Sequence, residues 1–239
     1  GYQTLFYNTT GNSNNVAGYQ AMYSNVGGSN NTALGYRALY ANTNGFSNTA
    51  LGYSAFLNGT TFSNSMALGF NAAISASNQI RLGNSAVSSI GGFANWTNVS
   101  DGRFKTNVKE TVVGLDFINL LRPVCYNLDM QAIAATLNTP DSLRTLEAES
   151  LKGTLHQSGF IAQEVANAAL LSGYDFSGID LPRGQNGHYG LRYAEFTIPL
   201  VKAVQELSAE NEVLKKRVEQ LEQLQNEVSA IKKKLSMDN

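Results

Sequence analysis

The sequence is poor in the residues from which many functional sites are built. Its 239 residues include one cysteine and two histidines, which are too few for a tetrahedral zinc site or a disulfide within the chain. We therefore expect no metal and no cofactor. The formal net charge of −1 lacks the basic excess that nucleic-acid binding requires. No run of about 18 apolar residues is present, so we expect no membrane insertion.

Charge is almost missing from the first part of the chain. Residues 1–99 contain no Asp, Glu or Lys and only two arginines, Arg37 and Arg81, whereas all eighteen acidic residues follow. Because a globular surface is normally about a quarter or more charged, this step indicates two differently built pieces. The chain also begins with Gly1 and not with Met, so we interpret it as a fragment of something longer.

The uncharged piece contains a repeat of seventeen residues. Asn and Gly at fixed places favour tight turns, and stretches such as 48–53 and 36–39 are typical of short strands. Stacked turn upon turn, they predict a parallel β-solenoid, because the constant phase disfavours a disordered Asn/Gly/Ser tract. The repeat is defined by Gly1, Gly18, Gly35, Gly52 and Gly69, each followed by Tyr or Phe, with Ala21, Ala38, Ala55 and Ala72 and with Asn14, Asn31 and Asn48.

These repeats, over roughly residues 1–83, resemble the heads of trimeric autotransporter adhesins and related fibre proteins of bacteria and phages. The resemblance implies a left-handed parallel β-roll with three chains side by side, although those heads have a shorter repeat. The repeat decays at 78–84, and residues 85–92 complete a predicted strand pair that caps the solenoid. We treat 84–99 as a junction.

Four blocks after the junction carry a second resemblance. They read Ser-Asp-Gly-Arg-Phe-Lys-Thr-Asn-Val at 100–108, Gly-Leu-Asp-Phe-Ile-Asn at 114–119 with Leu-Arg-Pro-Val at 121–124, Gly-Phe-Ile-Ala-Gln-Glu-Val at 159–165, and Ala-Val-Gln-Glu-Leu at 203–207. Together they resemble the endosialidase-type intramolecular chaperone, the self-cleaving peptidase domain of tail spikes and tail fibres. We place this mixed α+β domain at residues 100–199.

The resemblance implies a homotrimeric domain that registers and folds three fibre chains and then cuts the bond before its first serine. Carried over by motif, the scissile bond is Val99–Ser100, the nucleophile is Ser100 and its base is Lys105. Asp101 and His156 are weaker candidates. For Asp101 a structural turn is the favoured role, and His156 is displaced by two residues from the family's histidine.

The residue types suit that chemistry, because a lysine can activate a serine only as a neutral amine, which burial or nearby positive charge favours. Arg103 is a candidate source of such charge. A spacing of five residues does not bring Ser100 and Lys105 together on a strand or helix. We therefore expect a tight loop or a lysine from another chain. Without the resemblance, an ordinary helix or turn cap would be the better interpretation of Ser100 and Asp101.

The end of the chain predicts a long helix, with residues 200–239 as a parallel coiled coil. Heptads alone do not decide between dimer and trimer, and the two resemblances imply a trimer. Elsewhere we predict helices at 114–122 and 158–172, strands at 124–128 and 189–193, and long loops at 131–157 and 173–188. His188 belongs to the Gly-rich loop 184–190, and Cys125 is expected to be buried. One heptad stripe comprises Val204, Leu207, Asn211, Leu214, Val218 and Leu221, and a second, displaced by three residues, comprises Leu224, Val228, Ile231 and Leu235, with charged flanks that include Lys215, Lys216 and Lys234.

Three functions remain open at this point. The leading one is a homotrimeric fibre with a folding chaperone that cuts itself once as a serine peptidase, in a phage virion, a contractile injection particle or an extracellular fibre of the bacterial surface. The alternative is a surface adhesin that binds a receptor or glycan and keeps its C-terminal trimerisation cap uncleaved. A polysaccharide-degrading enzyme would need paired carboxylates, which residues 1–99 lack.

Overall fold

The computed structural model describes residues 1–183 and 187–237, with side chains as far as residue 233. Part of the Gly-rich loop and the side chains of Lys234 and Leu235 therefore lie outside the described residues. The chain forms two compact units. The first contains Gly1–Val99, Cys125–Gly159 and Leu181–His188, and the second contains Ser100–Val124, Phe160–Asp180 and Tyr189–Asn239.

A β-solenoid of about four turns makes up most of the first unit, as predicted. Its strands pair in parallel and in chain order, and the three steps that join the first four strands are each offset by seventeen residues, as in Ala33 beside Ala50. The last step is shorter, because Met66 pairs with Ile80. The strands are β1 (Asn15–Ala17), β2 (Thr32–Leu34), β3 (Thr49–Leu51), β4 (Met66–Leu68) and β5 (Ile80–Leu82). Residues 85–92 form no strand, so β5 alone ends the sheet and the predicted pair is wrong.

Tyr36 to Leu39 form a turn, and the strand predicted there is wrong. Arg37 and Leu39 have φ values of 51° and 52°, whereas a strand requires negative φ. Their amides donate to opposite neighbouring coils, from Arg37 to the carbonyl of Tyr19 over 2.9 Å and from Leu39 to that of Ala55 over 3.0 Å. These bonds hold a left-handed conformation that such residues otherwise avoid.

The Gly-Tyr phase has a steric cause at the same corner. Gly35 has a φ of 137°, and a Cβ added there would lie 2.4 Å from the carbonyl oxygen of Gly52 in the next coil. Only glycine fits this approach of backbone to backbone. The fixed spacing of the glycines therefore sets the coil length.

Small side chains and amides fill the solenoid interior. Alanines fill the core together with Met22, Leu39 and Phe56, which lie seventeen residues apart in successive coils. Four asparagines are also buried, and each lies directly above its equivalent in the neighbouring coil. The buried alanines are Ala21, Ala33, Ala38, Ala50, Ala55, Ala67 and Ala72, and the buried asparagines are Asn25, Asn31, Asn42 and Asn48.

The predicted long loop at 131–157 is wrong, because it contains two helices. These are α2 (Met130–Thr136) and α3 (Leu146–Thr154), and they lie between β6 (Val124–Tyr126) and its partner β7 (Gln157–Gly159). Asp129 caps α2 by accepting a hydrogen bond from the amide of Ala132 over 2.9 Å. Capping of this kind stabilises a short helix.

One arginine joins α2 to α3. Arg144 donates to Gln131 of α2 over 2.6 Å and makes two bonds, of 3.0 and 2.7 Å, to the carboxylate of Glu149 in α3. Glu149 is only 4% exposed, so this pair is largely removed from water. The contact thus joins the two helices, of which α3 has exposed Leu146 and Leu151 and buries Glu149.

The second unit packs short elements around aromatic rings. Phe117, Val165, Ala168, Phe176 and Phe196 form its core. Its elements are α1 (Leu115–Ile118), α4 (Ala162–Leu171), β8 (Ile179–Asp180) antiparallel to β9 (Gly190–Leu191), a 3-10 helix at Tyr193–Phe196, and α5 (Thr197–Met237).

Several element boundaries differ from the predictions. The helix predicted at 114–122 is a single turn, because Pro123 cannot continue a helix and leads into β6. The helix predicted at 158–172 begins only at Ala162, since 157–159 pairs with β6. The strand predicted at 189–193 is reduced to β9, and β8 lies within the predicted loop 173–188.

The helix α5 packs on its own unit only near its beginning. Pro199 and Ala203 are buried, and Glu206 accepts a hydrogen bond from the amide of Leu115 over 2.8 Å. Beyond these residues the apolar side chains of the first stripe are exposed, as Val218 is by 52%. In the described ranges, no helix combines the length and apolar character needed to cross a membrane.

Candidate active site at Ser100 and Lys105

A tight turn follows Ser100 at the start of the second unit. Gly102–Phe104 form one turn of 3-10 helix, and Asp101 is its N-cap residue. The Asp101 side chain accepts a hydrogen bond from the amide of Arg103 over 2.9 Å, and the amide of Lys105 donates to the carbonyl of Gly102 over 3.1 Å. This turn reverses the chain within five residues.

The turn brings the side chains of Ser100 and Lys105 together. Nζ of Lys105 donates a hydrogen bond to Oγ of Ser100 over 2.8 Å. Of the two arrangements expected from the sequence, the structure has the loop within one chain. A nucleophile and a base at this distance satisfy the geometric requirement for serine activation.

The side chain of Arg103 binds Asp101. Its Nη2 donates to Oδ2 over 2.7 Å, and its Nε lies 3.1 Å from both carboxylate oxygens. The hydrogen bonds from the Arg103 side chain and amide lower the pKa of Asp101, and the Asp101 carboxylate raises the pKa of Arg103. Sequence reasoning missed this pairing, whose only signal is the Asp-x-Arg spacing. The charge expected from Arg103 is thus largely balanced by Asp101, which has the turn-forming role.

The site is open to solvent within one chain. Ser100 and Lys105 are exposed, and so are the apolar side chains of Phe104 and Val108, by 71% and 80%. Val99, on the other side of the predicted scissile bond, is 82% exposed. Burial that would favour a neutral lysine is therefore not provided by the single chain.

The remaining sequence candidates lie in the first unit. His156 is exposed and directly precedes β7, and its catalytic role stays a prediction. His188 is exposed, as expected for loop surface. Cys125 is exposed, with its Sγ 3.6 Å from Oγ of Ser158, so its predicted burial is wrong. It lies on the uncovered face of the two-stranded sheet, whereas Val124 and Tyr126 are half-buried on the other face.

Family comparison agrees with the position of this turn. The model of a family described as chaperone of endosialidase matches residues 100–172, and the match begins at Ser100. These residues form an endosialidase-type intramolecular chaperone domain. The domain is of the kind that supports trimerisation and folding of a fibre protein. No curated protein and no solved structure matches the chain.

Proposed function

We propose that the protein is part of a homotrimeric fibre of a phage or bacterial surface, whose chaperone domain folds three chains together and then cuts the Val99–Ser100 bond. The observation that carries the cleavage is the 2.8 Å contact between Lys105 Nζ and Ser100 Oγ. It occurs at the residue where the family match begins. The nucleophile thus lies immediately after the bond that it would cut.

Trimerisation is supported by the exposed stripe of α5. Isolated apolar residues on a surface are ordinary, but a heptad row along one helix is typical of a coiled coil. Asn211 interrupts the row, and its Nδ2 bonds to the carbonyl of Leu207 over 2.9 Å within the same helix. An asparagine at such a position fixes axial register between chains. The exposed members are Val204, Leu207, Leu214, Val218, Leu221, Leu224, Val228 and Ile231.

The same assembly would complete the active site. To act as the base, Lys105 must accept the proton of Ser100 as a neutral amine. Packing of a second copy over the exposed Phe104 and Val108 would remove water from Lys105 and favour the neutral amine. Cleavage would then follow trimer formation, so that only correctly assembled chains are cut.

The reaction has two steps. The neutral amine of Lys105 takes the proton from Ser100 Oγ, which attacks the carbonyl carbon of Val99. The bond from that carbon to the Ser100 nitrogen breaks, the nitrogen takes up the proton and leaves as an amine, and an ester to Oγ replaces the amide. Water then adds to the ester carbonyl and a proton returns to Oγ. The products are a carboxylate at Val99 and a free amino group at Ser100.

Denaturing electrophoresis of freshly synthesised full-length chain tests the cleavage. We expect fragments of about 99 and 140 residues, since cutting after residue 99 of 239 leaves 140. Ser100→Ala and Lys105→Met should each abolish both fragments, whereas Ser89→Ala and Lys109→Met, which change exposed residues nearby, should leave them. An intact wild-type chain would refute the peptidase and leave the chaperone standing.

An exposed aromatic row keeps the adhesin as the alternative. The rings of Tyr2, Tyr19, Tyr36, Tyr53 and Phe70 stack along the solenoid with centroids 4.5 to 5.6 Å apart. Such a row offers a regular surface to a receptor or glycan. This alternative requires the uncleaved chain to be the final form, so the same electrophoresis separates the two hypotheses. Binding that persists after replacement of Tyr19 and Tyr53 by Ser would contradict the role of this row.

A further inference from the structure

The first compact unit contains chain from both sides of the proposed cut. Gly1–Val99 precede the Val99–Ser100 bond, and Cys125–Gly159 follow it, yet the two segments pack into one unit. The connecting residues 88–99 are all exposed and form neither helix nor strand. Cutting the chain at residue 99 would therefore remove a covalent link and leave the packing within the unit unchanged.

Lys152 makes the most specific contact between these two segments. It lies in α3, and its Nζ donates to the backbone carbonyls of Ser85 over 2.7 Å and Val87 over 2.6 Å. Both carbonyls belong to the stretch that leaves the last solenoid strand. Lys152 is half-buried, and burial lowers the pKa of its amine. A lysine in such a place depends on these two carbonyls for its hydrogen bonds.

Residues of both segments also line one cavity. This cavity of about 290 Å³ is lined by Phe62, Ile74 and Arg81 of the last coils, by Leu137 at the end of α2, and by His188. The segment after the cut thus approaches the solenoid with a lysine of α3 and with the residue that ends α2. Neither contact involves Ser100 or Lys105.

We propose that residues 125–159 form a docking surface for the last solenoid coils, and that this surface holds the two pieces together after cleavage. The partner is the N-terminal piece of the same protein, which Lys152 binds through two backbone carbonyls, while Leu137 lines the cavity between the two segments. The inference rests on the proposed cleavage for its biological setting, but the surface itself exists in the uncut chain. Residues 125–159 would then stay bound to the last solenoid coils after the cut.

The test separates retention from self-cleavage by using a chain that cannot cut itself. A recognition sequence for an added protease is inserted between Gly91 and Gly92 of the full-length Ser100→Ala chain. Both glycines are exposed, and a Cβ added at either would meet no atom within 4 Å, so the insertion has room. Complete cutting is checked by denaturing electrophoresis. Size-exclusion chromatography in native buffer then shows whether the pieces elute together. We expect co-elution, and separate elution of the cut pieces would overturn the proposal.

Two variants in the same background test the residues. Lys152→Met should weaken the association of the cut pieces roughly tenfold to a hundredfold, as expected for loss of charged hydrogen bonds. Leu137→Ser should also weaken the association of the cut pieces, because Leu137 lines the cavity between the two segments. Circular dichroism shows whether each variant folds, and Leu137→Ser tests the surface if Lys152→Met does not. Lys109→Met, at an exposed lysine, is the matched control. Retention unchanged in both variants would overturn the assignment. Failure of wild-type chain to cut itself would refute the proposed peptidase but not this surface.

Discussion

Asn42 donates a hydrogen bond from Nδ2 to Oδ1 of Asn25, seventeen residues earlier, over 2.8 Å. Asn25 makes the same bond to Asn8 over 2.7 Å, so the amides form a row in which every bond points the same way. The row ends after Asn42, because the equivalent position in the next coil is Gly59. Oδ1 of Asn42 is buried and has no hydrogen-bond partner among the described residues.

The middle of this row should not tolerate a carboxylate. In Asn25→Asp the side chain loses the donor that serves Asn8 and the carbonyl of Gly28, and it places a charge at a fully buried position. We expect a loss in the free energy of unfolding of about 3 kcal/mol or more. Thermal unfolding followed by circular dichroism measures it. The control Asn12→Asp changes an exposed asparagine, and an equal effect of the two substitutions would contradict the role of the row.

Charge on the α5 stripe should break the assembly. Val218→Asp places a carboxylate at a core position of the proposed coiled coil, where it would be buried without a partner. We expect mainly monomeric chain by sedimentation, and at least tenfold slower self-cleavage if the active site is completed by a second copy. Lys216→Asp, on the outer side of the same helix, should retain the wild-type mass. A trimer that survives Val218→Asp would exclude this stripe as the interface.

The Asp101 carboxyl should titrate below the usual range for aspartate. Hydrogen bonds from the Arg103 side chain and amide lower its pKa, so the interaction is present above the ordinary value of about 3.9 and is lost as the pH falls through the lowered value. In Arg103→Gln the midpoint should rise towards the ordinary value, and in Lys109→Gln it should not move. Carboxyl carbon NMR measures both. An unchanged midpoint in Arg103→Gln would contradict the observed pairing.

The solenoid could be predicted from its repeat, whereas features that depend on individual contacts could not. The seventeen-residue phase predicts the parallel solenoid, and the register of β1 to β4 follows it. The burial of the Asn row was not predicted, because it depends on amide hydrogen bonds between neighbouring coils. The prediction of a strand at Arg37 and Leu39 is wrong. Left-handed φ values at such residues depend on backbone hydrogen bonds to both neighbouring coils. No local pattern signals such bonds.

The Ser100–Lys105 site and the segment with α2 and α3 were also only partly predictable from the sequence. The motif resemblance identifies Ser100 and Lys105. Their spacing of five residues does not determine the distance between the side chains, which depends on the turn capped by Asp101. The prediction of a loop at α2 and α3 is wrong for two reasons: Met130, Ala134 and Leu137 do follow helical spacing in the short α2, whereas α3 buries Glu149 against Arg144 and has no apolar stripe. Lys152 carries no motif at all, and its two carbonyl partners lie more than sixty residues away in the chain.

Because the coils are equivalent, the length of the solenoid depends on how many copies of the repeat the chain contains. Each further set of seventeen residues would present the same glycine corner and the same amides to its neighbours, so it would add one strand spacing, about 4.8 Å, to the shaft. A fibre built in this way can change its reach by duplicating or deleting one coil, with no new kind of contact required. The coils cease to be equivalent at the end of the solenoid, where Met66 pairs with Ile80 in a shorter step and Gly59 takes the place of the buried Asn.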